Sequence, residues 1–222
     1  MNSMMIDEST ILMSKVTYFN SLRPEMKKYI PEKAIRILDV GCSDGSFCAS
    51  LRRSDREIWG VEMNADAAKK ATEVCKFVLV GDFNEIFDQL PKNHFDCVVF
   101  NDVLEHIYSP WDTIKMVKSL LSPNGVLVSS IPNFRYIANL IEIVGHGEFR
   151  YRPEGGILDD THIRFFTYKS IKSMFESQGY ELLLQEGIGK RNDCKMKLLN
   201  IFSLGSMRDA CFRQFATVAK PV

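Results

Sequence analysis

Short hydrophobic runs alternate along the chain with segments whose apolar residues recur every three or four positions. Five runs of six to eight residues are rich in β-branched residues and apolar on both faces, which is typical of strands covered by helices on either side. They are AIRILDV, EIWGVE, KFVLVGD, FDCVVFND and GVLVSSIP, and they lie between positions 34 and 132. This alternation of strand and helix patterns predicts a doubly wound, parallel α/β sheet.

The segments between these runs carry start and stop signals of helices. Asn64 is a suitable N-cap for a helix over 65–75, and Ser109, which a proline follows, predicts a second helix over 110–121. The sequence SPNG at 122–125 then predicts a turn into the fifth strand.

The pattern changes after the fifth strand. Residues 133–160 are rich in aromatic residues, arginines and glycines and show no clean strand. A helix is predicted to begin at Thr167 and to end at Gly179. The runs YELLLQEG and QFATVAK predict two more strands, separated by a helix around 194–205. We therefore expect seven strands, mostly parallel, with an antiparallel edge strand.

Length and composition indicate one ordinary globular domain over 1–222, with an N-terminal helical segment at 1–33 and an insertion or lid at 133–160. The 28 Lys and Arg residues equal the 28 Asp and Glu residues, so no global basic field attracts nucleic acid or a membrane surface. We find no signal peptide pattern, no run of about 20 apolar residues and no CxxC pair among six cysteines. A cytoplasmic protein is expected, as a monomer or a homodimer.

The stretch ILDVGCSDGSF at 37–47 reads as a buried strand that breaks into a glycine turn and opens a helix. No Lys-Ser/Thr pair follows it, which excludes a P-loop. A dinucleotide fingerprint needs GxGxxG, but Ser43 stands where the second glycine would approach a pyrophosphate. The turn therefore favours a ligand without a diphosphate.

The second strand supplies the other half of the expected site. It ends at Glu62, 21 residues after Gly41. In a doubly wound sheet this spacing places a carboxylate at the tip of the neighbouring strand, where it accepts hydrogen bonds from ribose hydroxyls. The predicted ligand thus contains a ribose.

With these features the sequence resembles the class I S-adenosylmethionine-dependent methyltransferases over nearly the whole chain. The acidic residue and glycines of the family's first motif are matched by Asp39, Gly41 and Gly45, with Ser43 in place of the middle glycine. The segment DVLEH at 102–106 is the most specific match. The resemblance implies a Rossmann-like fold, S-adenosylmethionine as cofactor and S-adenosylhomocysteine as product. The implied cofactor site comprises Arg23, Asp39, Gly41, Cys42, Ser43, Gly45, Glu62, Met63, Asp82, Phe83, Asn101, Asp102, Val103 and His106.

Individual roles follow from the same resemblance. Glu62 would bind the ribose, Met63 would lie against the adenine, and Asp82 would lie near the adenine amino group with Phe83 beside the ring. Apart from the resemblance, Asp39 either supports the turn through hydrogen bonds to its amides or simply caps it. Glu62 is alternatively an ordinary exposed carboxylate at a strand end, and Asp82 an ordinary turn residue.

The methionine part of the cofactor is expected at the carboxyl end of the fourth strand, near Asn101, Asp102 and Val103. Arg23 either pairs with the methionine carboxylate or is a surface arginine on an N-terminal helix.

The methyl group of such a cofactor is already activated, but a hydroxyl acceptor must also lose its proton. His106 ends the DVLEH segment, and His162 lies in a TH-R-FFT stretch similar to that of many bacterial relatives acting on sugars. Each histidine is either a base or a structural residue. We expect His162 to be the better candidate base.

The residues expected to bind the acceptor lie mainly in 133–160. Aromatic faces stack on sugars or flat rings, and arginines bind phosphate or carboxylate, so a nucleotide-linked or phosphorylated sugar would fit. A solvated helix face explains the same residues equally well. No metal is expected, since Asp159 and Asp160 are adjacent and point to opposite faces. The candidate acceptor-binding residues are Tyr136, Arg150, Arg152, Asp160 and Arg164.

The expected function is O-methylation of a hydroxyl on a small or carbohydrate-like molecule. N- or C-methylation of another small molecule and a non-catalytic S-adenosylmethionine-binding partner protein are the alternatives. An NAD-dependent oxidoreductase lacks support because its glycine fingerprint is missing. A nucleic-acid methyltransferase is disfavoured by the balanced charge and by NDVL at the end of the fourth strand.

Overall fold

The computed structural model describes residues 23–153, 155–191, 201 and 203–222. These residues form a seven-stranded sheet. Its strands are β1 (Arg36–Val40), β2 (Glu57–Glu62), β3 (Phe77–Val80), β4 (Phe95–Asn101), β5 (Leu121–Pro132), β6 (Tyr180–Ile188) and β7 (Gln214–Pro221).

The order of the strands is β3-β2-β1-β4-β5-β7-β6. Neighbouring strands among the first five are parallel, while β7 is antiparallel to both β5 and β6. The predicted α/β sheet, mostly parallel with antiparallel pairing at one edge, is confirmed. The antiparallel strand itself lies one place inside that edge, and β6 is the outermost strand. The chain order reverses between β1 and β4, and such a switch point is where ligands bind in open α/β sheets.

Short helices connect the strands. They are α1 (Ser46–Leu51), α2 (Ala65–Ala71), α3 (Phe83–Ile86), α4 (Pro110–Val117), α5 (Ile137–Leu140) and α6 (Tyr168–Ser177), with 3-10 turns at Pro24–Tyr29, Phe87–Gln89 and Leu104–His106 and a π-helical turn at Ile141–Gly145.

The core divides between the two faces of the sheet. Along β1, Leu38 and Val40 belong to one hydrophobic cluster and Ile37 to another; along β4, Phe100 and Val99 divide in the same way. Successive side chains of a strand point to opposite faces, so both faces are covered by apolar layers. The apolar strand patterns of the sequence have this origin.

Two predicted helices end earlier than expected. The helix after Asn64 ends at Ala71 instead of 75, and α4 ends at Val117 instead of 121. Leu121 is already the first residue of β5, and the predicted turn at 122–125 is part of that strand. The pairing with β4 shifts register between Leu121 and Val126, so the predicted turn is an irregularity within the strand and does not precede it.

The predicted start and stop of α6 are confirmed. The Thr167 hydroxyl accepts the Ser170 amide, and the Ser170 hydroxyl accepts the Thr167 amide, which together form a capping box. Gly179 adopts φ +72° immediately after the C-cap residue Gln178.

Two other predicted helices lie largely outside the described residues. Residues 1–22 of the N-terminal helical segment 1–33 are not described, and its remainder contains one 3-10 helix. Most of the helix expected around 194–205 also lies outside. No helix in the described ranges is long and apolar enough to cross a membrane.

Candidate active site

A cavity of about 820 Å³ opens at the carboxyl ends of the parallel strands. It is lined by every residue that the sequence assigned to the cofactor except Gly45. Gly45 instead caps α1 with φ +83° and packs against Ala71. The sequence reasoning missed several lining residues, which include Asp44, Phe47, Ile107, Gly155, Gly156 and Thr161.

The turn after β1 is held by backbone hydrogen bonds and by a close contact. The amides of Gly41 and Cys42 donate to the Val61 carbonyl at 2.8 and 3.1 Å. Gly41 has φ +74°, and a Cβ atom there would lie 2.6 Å from Val103 Cγ2. Only glycine fits both the backbone conformation and the neighbouring β4 segment.

Glu62 ties the turn to the end of β2. One carboxylate oxygen accepts the Ser43 amide at 2.9 Å, and the other accepts the Asn64 amide at 2.8 Å. These two bonds fix the side chain of Glu62, which borders the cavity and is otherwise buried. The carboxylate retains lone pairs for ligand hydroxyls, since each of its oxygens accepts two bonds.

Asp39 differs from its expected role. Its carboxylate is buried and accepts the Cys48 thiol at 3.2 Å, and its second oxygen has no hydrogen-bond partner. The expected bonds to the turn amides are absent because Val61 and Glu62 accept those amides. Burial raises the pKa of Asp39 to about 7, so the carboxyl holds its proton to near-neutral pH.

The residues expected at the adenine form the wall beyond β2 and β3. Met63 is 69% exposed and lies on the rim. Asp82 caps α3 by accepting the Asn84 amide at 2.8 Å, so its lining position and a turn-capping role coexist. Phe83 borders the cavity while its ring packs edge-on against Phe100 at 5.4 Å.

The opposite wall lies at the end of β4. Both polar side-chain atoms of Asn101 are buried without a hydrogen-bond partner, although Asn101 lines the cavity. An unsatisfied amide facing a cavity is suited to a polar ligand, because a bound partner would recover its lost hydrogen bonds.

Arg23 lies deep in this wall. Its guanidinium binds Asp102 and donates to Ser130 Oγ at 2.9 Å and to Gln214 Oε1 at 3.1 Å. Its side chain is 14% exposed and precedes the 3-10 helix, so the alternative of a surface arginine on a helix is wrong. Arg23 lines the cavity, as expected, but its charge is already paired with a carboxylate.

Two histidines and a glutamate meet beside Asp102. The rings of His106 and His162 lie 4.6 Å apart, and His162 Nε2 lies 3.9 Å from a Glu105 oxygen. His106 lines the cavity, whereas His162 is 5% exposed and lies behind it. Burial, followed by the charge of His162, lowers the pKa of His106. Burial also raises the pKa of Glu105 well above its usual range.

The five side chains predicted to bind the acceptor do not line this cavity. Arg150 and Arg152 pair with the nearby Glu148 and Glu142, and Asp160 is exposed. The guanidinium of Arg164 donates to the Tyr108 carbonyl. Tyr136 packs in a separate small hydrophobic cluster with Ile137 and Ala210.

These positions correct the expectation of an acceptor site built from aromatic and arginine side chains. The arginine side chains already bind carboxylate or carbonyl groups of the protein itself. The cavity wall from this part of the chain is instead formed by Gly155, Gly156 and Thr161.

Comparison with known proteins identifies a family. A family model described as a methyltransferase domain matches residues 15–185. The ubiquinone biosynthesis O-methyltransferase of Coxiella burnetii (strain RSA 331 / Henzerling II) is 29% identical over 184 residues, which cover 78% of this chain and 77% of that protein. The protein of the same name from Actinobacillus pleuropneumoniae serotype 7 (strain AP76) is 28% identical over 138 residues, or 56% of this chain. The chain spans about three fifths of that relative's length, 59%.

A solved structure shares the architecture. The SAM-dependent methyltransferase from Archaeoglobus fulgidus superposes with a TM-score of 0.68 at 19% identity, covering 94% of this chain and 98% of that one. This likeness shows the fold, and the family resemblance inferred from the sequence is confirmed by the family model. The chain belongs to the methyltransferase domain family.

Proposed function

We propose that the protein transfers a methyl group from S-adenosylmethionine to a hydroxyl oxygen of a small molecule. The observation that carries the proposal is the cluster of Glu105, His106 and His162 at the methionine end of the cavity, since a hydroxyl must lose a proton when its oxygen is methylated. Methylation of an amine or of an electron-rich carbon depends less on the removal of a proton. Relatives that are 28–29% identical are named O-methyltransferases, which supports the same reaction type.

The residues along the cavity divide the work of holding the cofactor. Glu62 is proposed to accept the ribose hydroxyls, Phe83 and Met63 to flank the adenine, and Asn101 to bind polar atoms of the methionine part. Bound S-adenosylmethionine supplies a methyl group on a positively charged sulfur. The protein's contribution is to align the acceptor oxygen with that methyl group, which removes several kcal/mol from the barrier.

Proton removal is proposed to occur at the histidine cluster. His106 is its cavity-facing member, and His162 supports it from behind through the ring contact at 4.6 Å. The sequence favoured His162 as the base. His106 suits this role better, because a proton acceptor must reach its substrate. His162 is enclosed by the Ile157 carbonyl and Glu105.

The acceptor is proposed to be uncharged. A phosphorylated or nucleotide-linked sugar would need a free arginine or lysine near the cavity. Arg23, the cationic residue among the described lining residues, is paired with Asp102. A phenol, a catechol or an unphosphorylated sugar therefore fits better than an anionic acceptor.

The test is methyl transfer from isotopically labelled S-adenosylmethionine to a panel of phenols, catechols and unphosphorylated sugars, each paired with its amine analogue. We expect a methyl ether, identified by mass spectrometry. Methylation of the amine analogues alone would overturn the proposal, and exclusive use of phosphorylated sugars would overturn the uncharged acceptor. Tight binding of S-adenosylhomocysteine without transfer to any acceptor would favour a non-catalytic partner protein.

A further inference from the structure

The side chains of Glu105, His106 and His162 converge on one point beside the cavity. Each offers a ligand atom, and the three atoms lie within 4.8 Å of one another. We propose that these residues form a binding site for a divalent transition-metal ion, which binds the hydroxyl oxygen of the acceptor. This inference rests on the proposed O-methylation and deepens it.

Glu105 gives the first independent support. The residue is 1% exposed, and neither carboxylate oxygen has a hydrogen-bond partner. A buried carboxylate without partners is costly, and proteins retain such groups where they are paired or bind a cation. Arg23 does not fill this role, because its guanidinium is bound to Asp102, Ser130 and Gln214.

The histidines give the second support through their outer nitrogens. His162 Nδ1 lies 3.0 Å from the Ile157 carbonyl, and His106 Nδ1 lies 3.2 Å from the Thr161 carbonyl. A carbonyl only accepts hydrogen bonds, so Nδ1 of His162 donates to Ile157, and its Nε2, which lies toward Glu105, is the nitrogen left to bind an ion when the ring is neutral. Metal-binding histidines usually donate their second nitrogen in this manner, since the bond fixes the ring and its tautomer.

The backbone holds the two parts of the site together. The amides of Ile163 and Arg164 donate to the Glu105 carbonyl at 3.1 and 3.0 Å. The segment that carries His162 is thus attached to the turn that carries Glu105 and His106. Bonds from a metal to imidazole nitrogen are about 2.0–2.1 Å long, so the cluster must contract by about an ångström around an ion.

The donor set decides which ions fit. Two imidazoles and one carboxylate suit Zn²⁺, Co²⁺ or Fe²⁺, whereas Mg²⁺ prefers oxygen ligands and water. Three protein ligands leave at least one coordination position open, as in catalytic zinc sites. Because His106 lines the cavity, that position is accessible from the side where the acceptor is expected.

An ion bound there would promote loss of the hydroxyl proton, which is the role proposed for the histidine cluster. A hydroxyl oxygen bound to the ion releases its proton to water more readily, since the cation stabilises the resulting anion. His106 is then a ligand that holds the ion, and the ion fixes the position of the acceptor oxygen.

The test uses Co²⁺ as a spectroscopic probe on the full-length protein after treatment with EDTA and dialysis. We expect one equivalent of Co²⁺ to produce visible d–d absorption, Zn²⁺ to displace it, and millimolar Mg²⁺ to leave it unchanged. Glu105→Gln and His162→Gln should each weaken Co²⁺ binding at least tenfold. His146→Gln, which changes an exposed histidine, is the matched control and should bind Co²⁺ like the wild type.

Wild-type protein without stoichiometric Co²⁺ binding would overturn the proposal, and this outcome does not depend on how the variants fold. A thiolate-to-cobalt charge-transfer band would also overturn it, because the ion would then be bound by cysteines. So would unchanged binding in both cluster variants. Formation of a methyl ether at full rate in EDTA would refute the metal while leaving O-methylation intact. Stoichiometric Co²⁺ binding lost in the cluster variants, together with methylation of amines only, would support the ion site and refute O-methylation.

Discussion

Replacing Asp39 by asparagine removes a titrating carboxyl from the buried floor of the cofactor turn. Burial raises the pKa of Asp39 from 3.8 to about 7. In the folded protein the carboxyl therefore keeps its proton over about three pH units in which the unfolded chain has lost it. Each unit corresponds to 1.36 kcal/mol, so ionisation of Asp39 costs the folded state roughly 4 kcal/mol above pH 7 and nothing below about pH 4.

Asp39→Asn keeps the shape and cannot ionise. Relative to the wild type, its free energy of unfolding should rise as the pH increases from 5 to 8, because only the wild type carries this buried titrating carboxyl. Urea denaturation of both proteins at several pH values, without cofactor, measures the difference. Asp88→Asn, which makes the same chemical change at a side chain that is 98% exposed, should shift stability by less than about 0.5 kcal/mol. A difference between Asp39→Asn and wild type that does not change with pH would show that Asp39 does not titrate with a raised pKa in the folded protein.

Three further substitutions test the turn and its neighbours. Gly41→Ala should destabilise the protein by about 2 kcal/mol or more, because φ is positive and the new Cβ meets Val103 at 2.6 Å; adding Val103→Ala should recover the part due to the clash, as thermal denaturation would show. Glu62→Gln should weaken S-adenosylhomocysteine binding at least tenfold in calorimetry, and an unchanged dissociation constant would contradict its proposed place at the ribose. Asn64→Ala should cost about 1 kcal/mol in urea denaturation, since the Asn64 side chain accepts two amides of α2.

The cofactor side of the site was predictable because topology determines it. Parallel strands place their carboxyl ends at one edge of the sheet. The residues at the ends of β1, β2 and β4 therefore lie close together, independently of the loop conformations. Gly41, Glu62 and Asn101 illustrate this, since each was assigned from its place at a strand end and each lines the cavity.

The acceptor side was not predictable in the same way. The side chains of Arg150 and Arg152 suggested an anion site, but each finds a carboxylate in its own segment. Sequence alone does not distinguish an arginine whose charge is available to a ligand from one that is paired within the protein. The predicted end of α4 at Leu121 was wrong for a related reason. An apolar residue at this position fits both the helical period and a strand pattern.

The cluster of Glu105 with the two histidines was hidden for another reason. His162 lies far along the chain from Glu105, and the two segments are brought together by tertiary hydrogen bonds, among them those of Ile163 and Arg164 to the Glu105 carbonyl and the contact of His106 with Thr161. The sequence singled out both histidines, but it carried no signal that they share one partner.

The proposed cofactor site is tested most directly by the binding of S-adenosylhomocysteine, S-adenosylmethionine and NAD to the wild type, to Glu62→Gln and to Asn101→Ala, measured as shifts in thermal unfolding. At a hundred times its dissociation constant, a ligand adds about 2.7 kcal/mol to the stability of the wild type. We expect a shift with both sulfur ligands, none with NAD, and smaller shifts in both variants. A shift with NAD alone, or shifts with the sulfur ligands that are undiminished in both variants, would contradict the site described here.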